Sequence, residues 1–142
     1  MVHVVIRDLT HLHDGANIVC VDVAHRLSDC GFHAPPLAFP VHETLMVEPT
    51  ESAPKAEMYR FIATLIQIKR ECEEAAASGE ADNVVVNAPH TAAEICGEWS
   101  HPYAREKAAF PLEFIRESKF FPYVSKIDNG YGDRNLVCRC TE

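Results

Sequence analysis

SAPKAEMYRFIATLIQIKRECEEAAASG, residues 52–79, carries the longest helical period in the chain. Met58, Phe61, Ile62, Leu65, Ile66, Ile68 and Cys72 recur at spacings of three and four, which lays a wide apolar stripe along one helix beginning near Lys55. Ser52 or a neighbour can supply its N-cap. Glu71 to Ser78 is acidic and alanine-rich before Gly79, so the last turn is expected to project into solvent. A stripe this wide is read as core and must pack on something broad.

Upstream of that helix, Thr44-Leu45-Met46-Val47-Glu48 reads as a strand stopped by Pro49. Pro35, Pro36 and Pro40 confine the stretch before it to an extended edge strand or a loop, because proline offers no ladder donor. Cys20, Val23, Ala24 and Leu27 predict a helix over about 19–30, with Gly31 at the left-handed closing position and Phe32 placed for the capping contact. A short β-branched run from His3 to Asp8 predicts the first strand, followed by a polar loop through Gly15. Strand, helix, strand, strand, helix is the order of an α+β sandwich, a small antiparallel sheet covered by two helices, over residues 1–78.

Downstream, residues 79–142 read as an extended tail. Pro89, Pro102, Pro111 and Pro122 punctuate it, leaving room for short helices only at Thr91–Glu98 and Ala104–Phe110. Trp99, Tyr103, Phe110, Phe114, Phe120, Phe121, Tyr123 and Tyr131 place most of the aromatics there, which implies a docking face on the sandwich or on another domain or subunit. Gly130-Tyr131-Gly132 lacks the spacing of a phosphate loop and reads as a turn.

The 142 residues suffice for one compact domain. The net charge of −8 argues against a nucleic-acid or anionic-membrane surface. No stretch approaches the roughly 20 apolar residues of a membrane span. The six cysteines, at 20, 30, 72, 96, 138 and 140, are scattered, so reduced thiols are expected. Cys138-Arg-Cys140 and His11-Leu-His13 are single pairs, and no metal site is expected.

Several blocks go beyond pattern. Asp22-Val23-Ala24-His25-Arg26-Leu27, Gly31-Phe32-His33-Ala34-Pro35 and Thr44 to Ser52 are followed by Asn87-Ala88-Pro89-His90-Thr91, Pro102 to Pro111, Lys119-Phe120-Phe121-Pro122 and Tyr131 to Cys138. In that order, over nearly the whole chain, they resemble the C-terminal end of the glycine dehydrogenase (decarboxylating) family, the P-proteins of the glycine cleavage system. Three positions depart from the family pattern: His101 stands where arginine is usual, Phe121 where tryptophan is usual and Glu43 where glycine is usual.

The resemblance implies the C-terminal domain of a fold-type I enzyme that uses pyridoxal phosphate. In such an enzyme glycine loses carbon dioxide, with the cofactor as electron sink, and the aminomethyl group passes to the lipoyl arm of the H-protein. The lysine that anchors the cofactor lies upstream of this stretch in the family, so this chain alone is expected to be inactive and to bind no cofactor covalently. Its expected partners are the missing N-terminal domain or subunit, the lipoylated H-protein and further copies in a homo- or hetero-oligomer. The competing reading is a freestanding, non-catalytic module that docks on the full enzyme or the H-protein. The family is cytoplasmic in bacteria and mitochondrial in eukaryotes.

No catalytic residue is expected in the chain itself. Lys55, Lys69, Lys107, Lys119 and Lys126 sit in amphipathic or polar contexts expected to keep their amines solvated, unlike a catalytic lysine. His33 and His90, beside prolines in the matched blocks, are candidates for a cofactor or substrate cleft wall or for structural hydrogen bonds. Arg105 and Arg134 can grip a carboxylate or a partner surface, or form structural ion pairs with Glu106 and Asp133. Glu48, Thr50, Glu51 and Ser52 form a turn that can meet an anion or cap the long helix. Cys138 and Cys140 are the redox candidates, near the chain end.

Overall fold

The computed structural model describes residues 4–38 and 40–137, the side chains of 13–15 aside. Strand β1 (Val5–Asp8) is followed by helices α1 (Thr10–Ala16) and α2 (Cys20–Asp29), strand β2 (Thr44–Val47) and the long helix α3 (Lys55–Ser78). Short helices α4 (Ala92–Cys96), α5 (Arg105–Ala109), α6 (Glu113–Glu117) and α7 (Asn129–Arg134) follow. The class is α+β, as the element order implies.

The sheet is an antiparallel pair with Val5 opposite Val47 and Asp8 opposite Thr44. The proline-rich stretch adds only a bridge, Leu37 to Leu45, on the far side of β2. The Ala38 N–H donates to Thr44 O and the Met46 N–H to Pro36 O along that edge. Pro35 and Pro36 have no N–H to extend it.

Helix α1 replaces the polar loop read from the sequence. Its residues, THLHDGA, show no apolar period, but the Asp8 carboxylate accepts hydrogen bonds from the backbone N–H and hydroxyl of Thr10 and so starts the turn. Helix α2 ends as its sequence predicts. The Phe32 N–H reaches Leu27 O and the Gly31 N–H reaches Ser28 O, with Gly31 at φ +82°, the paired closure that a left-handed residue makes possible. Gly79, at φ +68°, ends α3 in the same region of backbone space.

Helix α3 begins at Lys55, but Ser52 does not cap it. Pro54 holds the N-cap position without a side-chain bond, and the Ser52 hydroxyl pairs with Thr50 instead. The stripe along α3 is divided. Ile68, Cys72 and Ala75 are buried with Ile18, Val23, Leu27, Leu45 and Val85, whereas Met58, Ile62 and Ile66 stay 39%, 50% and 48% exposed. The four-residue strands are too short to cover a 24-residue helix.

The last turn of α3 is exposed at Ala76, Ala77 and Ser78, as read from the sequence, whereas Glu71 before it is wholly buried. It lies on the face of Ile68, Cys72 and Ala75, and its carboxylate receives the Arg26 Nε at 2.8 Å and Nη2 at 2.9 Å. Arg26, itself fully buried, also donates to Asp29 Oδ2 at 2.9 Å and to the carbonyls of Lys107 and Ala108, both at 2.8 Å. One guanidinium thus joins α2, α3 and α5. Burial alone would lower its pKa, but the Glu71 hydrogen bonds and the Glu71 and Asp29 charges raise it, so it stays charged.

Glu43 stands at φ +55°, the left-handed region that favours glycine. Its Oε2 accepts the Cys20 N–H at 2.8 Å, which satisfies an open donor in the first turn of α2. The side chain therefore offsets part of the backbone cost of the left-handed residue.

Two stability outcomes follow from these contacts. Arg26→Met is expected to lower the unfolding free energy by about 3–5 kcal/mol in urea titrations, because it strands two buried carboxylates. Glu43→Ala keeps the left-handed backbone and loses the Cys20 bond, so it is expected to be less stable than Glu43→Gly by about 1 kcal/mol in the same titrations.

Candidate functional site

The densest set of polar side chains grows outward from Arg26. Asp29, fully buried, accepts the His90 backbone N–H at 2.7 Å, and its other oxygen lies 2.7 Å from His90 Nδ1. His90 Nε2 is 3.0 Å from the Tyr103 hydroxyl, which also receives the Asn87 amide at 3.1 Å. With its proton on Nδ1 against the carboxylate, His90 accepts the Tyr103 O–H at Nε2, a tautomer assigned from this network. Burial pushes the Tyr103 phenol up to about 12, so it remains a donor at neutral pH.

Aromatic rings close over this cluster. The Trp99 indole N–H donates to Tyr103 O at 2.7 Å, and His101 stacks on the Tyr103 ring with centroids 5.0 Å apart and planes 16° apart. His101 Nδ1 lies 2.9 Å from Asp82 Oδ1. Beside the cluster is a hollow of about 230 Å³ lined by Glu71, Glu74, Asp82, Tyr103 and Lys107 among others.

The chemistry of this arrangement is orientation. Its donors and acceptors face one another, and it pins the segment from Asn87 to Tyr103 onto α2. Two lysines extend the attachment: Lys119 donates to Asp29 O, and Lys126 pairs with buried Asp22 and donates to Val86 O at 2.9 Å. Burial lowers the Lys119 pKa, although Asp29 opposes that shift. The solvated amine expected of Lys119 therefore does not hold, because it is half-buried against the Asp29 carbonyl, whereas Lys126 stays exposed while it bonds Asp22 and Val86. Lys69 pairs with Glu73, Lys107 with Glu74, and Lys55 lies over the Tyr59 ring. All five lysines are engaged by carboxylates, backbone carbonyls or an aromatic ring, and the two that line hollows, Lys69 and Lys107, are paired with Glu73 and Glu74 rather than held as the free, desolvated amine that anchors an aldehyde cofactor. The residues present do not fit a covalent pyridoxal phosphate site.

The candidate residues are dispersed. His33 lines an apolar groove between the sheet and α3, together with Glu48. Thr50, Glu51 and Ser52 lie exposed on the turn that leads into α3. His90 is enclosed, away from any cleft edge. Arg105 donates to Ile95 O at 2.9 Å and lies over Trp99 rather than pairing with Glu106. Arg134 is exposed at the end of α7, the short helix that takes the place of the Gly-Tyr-Gly turn. Cys138 and Cys140 lie outside the described residues. Arg26, Asp29 and Glu71 were not singled out in the sequence. The available signal was their position at helical spacing among Val23, Leu27, Ile68 and Cys72.

Among the described residues no group of three His, Cys, Asp or Glu is arranged to hold a metal, and no helix is long and apolar enough to cross a membrane. Cys20, Cys30, Cys72 and Cys96 are free thiols, and only Cys96 is exposed.

The described residues form an α+β domain whose chemistry-bearing side chains are used largely for internal attachment. The family model described as glycine dehydrogenase, C-terminal domain, matches residues 1–90. The glycine dehydrogenase (decarboxylating) of Chromobacterium violaceum is 51% identical over 140 residues, and that of Yersinia pestis is 51% identical over 141. Each alignment covers 97% of this chain but 15% of the relative. The chain belongs to the glycine dehydrogenase (decarboxylating) family and corresponds to its C-terminal part.

Burial by apolar surroundings pushes the Cys30 and Cys72 thiols up to about 12. A disulfide reagent at pH 8 is accordingly expected to label Cys96 readily and Cys20, Cys30 and Cys72 only after denaturation, as read by peptide mass spectrometry. The raised thiols hold protons that the unfolded chain releases, so their contribution is fully present below about pH 9 and declines as pH rises towards 12.

Proposed function

We propose that this chain is the C-terminal domain of a pyridoxal phosphate-dependent glycine dehydrogenase that decarboxylates glycine and transfers the aminomethyl group to the lipoyl arm of an H-protein. The observation that carries this reading is the 51% identity across 97% of the chain to two enzymes bearing that name. When bound, pyridoxal phosphate supplies the electron sink for loss of carbon dioxide. The five engaged lysines support placing its anchor elsewhere in the protein, and the chain on its own is inactive in this reading. The bacterial relatives favour a cytoplasmic setting.

The domain's own contribution is structural support and shielding of the reacting groups from water. Thr50, Glu51 and Ser52 suit a cleft-wall role best, because they are exposed on a turn between β2 and α3. His90 suits it least, since both ring nitrogens are occupied within the fold.

Release of carbon dioxide from carboxyl-labelled glycine, measured with pyridoxal phosphate and lipoylated H-protein present, tests the proposal. The 142-residue chain alone is expected to give none, and the full-length protein that carries it is expected to be active. Cofactor-dependent release by the chain alone would overturn the assignment of the anchor, and an inactive full-length protein would overturn the reaction.

A further inference from the structure

The outer edge of β1 has no neighbouring strand among the described residues. Hydrogen bonds on the far side of β2 use Thr44 and Met46, so Leu45 and Val47 address β1, and their partners Arg7 and Val5 address β2. The same alternation leaves the N–H and C=O groups of Ile6 and Asp8 pointing away from the sheet. All four residues of β1 are exposed, including Val5 at 52% and Ile6 at 46%. An unpaired edge of this kind is a template for another strand.

The edge borders an apolar groove. A space of about 750 Å³ lies between the sheet and α3, lined by Val5, Leu12, Phe61, Ile62, Leu65 and Ile66 among others. The exposed Met58, Ile62 and Ile66 repeat every fourth residue along its helical wall. A helix laid in the groove would cover the apolar wall and leave the β1 edge open. A strand satisfies both, with its backbone on Ile6 and Asp8 and alternate side chains in the groove.

The length of the relatives supplies the occupant. This chain corresponds to the C-terminal part of proteins of which it spans 15%, so a long stretch of the same polypeptide precedes the matched domain in them. We propose that a strand from the polypeptide preceding this domain in the full-length enzyme pairs with β1 and fills the groove over Met58, Ile62 and Ile66. The proposal rests on family membership and is independent of the catalysed reaction.

The test uses the full-length protein with the photo-crosslinker p-benzoylphenylalanine at Ile62, and separately at Met58 in case one position disturbs folding. Irradiation and peptide mass spectrometry are expected to join either position to a segment N-terminal to the domain within the same molecule. In the same protein, the Ile6 amide is expected to exchange its hydrogen at least about a hundredfold more slowly than an unstructured peptide. Crosslinks only between two copies of this domain, or only to added H-protein, would overturn the proposal, as would an unprotected Ile6 amide. Neither readout needs glycine or pyridoxal phosphate, so failure here is distinguishable from failure of the decarboxylation reading.

Discussion

The guanidinium of Arg26 is the junction on which the described structure depends. It lies in the interior with two carboxylates and two main-chain carbonyls arranged around it, so all five of its donor sites' directions are used by α2, α3 and the α5 segment. Buried ion pairs of this sort add little net stability over apolar packing, yet they tolerate only one arrangement of their partners. Here that arrangement fixes where residues 107 and 108 lie against a helix more than eighty positions earlier. Asp29 carries the constraint onward to His90, and His90 to Tyr103.

This organisation explains how polar residues that look like an active site serve as internal attachments. An Asp-His-Tyr chain can relay a proton where one end meets substrate, but here the Tyr103 hydroxyl is met by His90 and Asn87 and roofed by His101 and Trp99. The same side chains that bear chemistry serve as attachments for a proline-rich segment with little regular hydrogen bonding of its own. The exposed surfaces are of another kind. They are the β1 edge, the upper half of α3 and the side chains of Tyr123, Ile127, Tyr131 and Leu136.

Local signals made much of the fold legible. The start of α3 at Lys55, its end at Gly79 and the closure of α2 through Gly31 and Phe32 all depend on residues within a turn of one another. Helix α1 was hidden because its cap, Asp8, lies at the end of a strand and its own residues lack an apolar period. Glu71 read only as the start of an acidic, alanine-rich stretch because its partner is 45 positions away, and Arg26 read as one letter of a family block for the same reason. The α3 stripe was correctly read as broad, but the sequence did not show that Met58, Ile62 and Ile66 stay exposed among the described residues. The candidate site was legible mainly as family blocks, since the residues in them are brought together through contacts far apart in sequence.

The mass, in source cells, of the polypeptide that contains the 119–137 segment tests most directly whether this domain works as part of a longer enzyme. The account predicts a single product several times heavier than 15.9 kDa, which includes both this segment and the upstream region of the relatives. A product near 15.9 kDa with no heavier form would contradict it and leave a domain whose groove must find its cover on a separate chain.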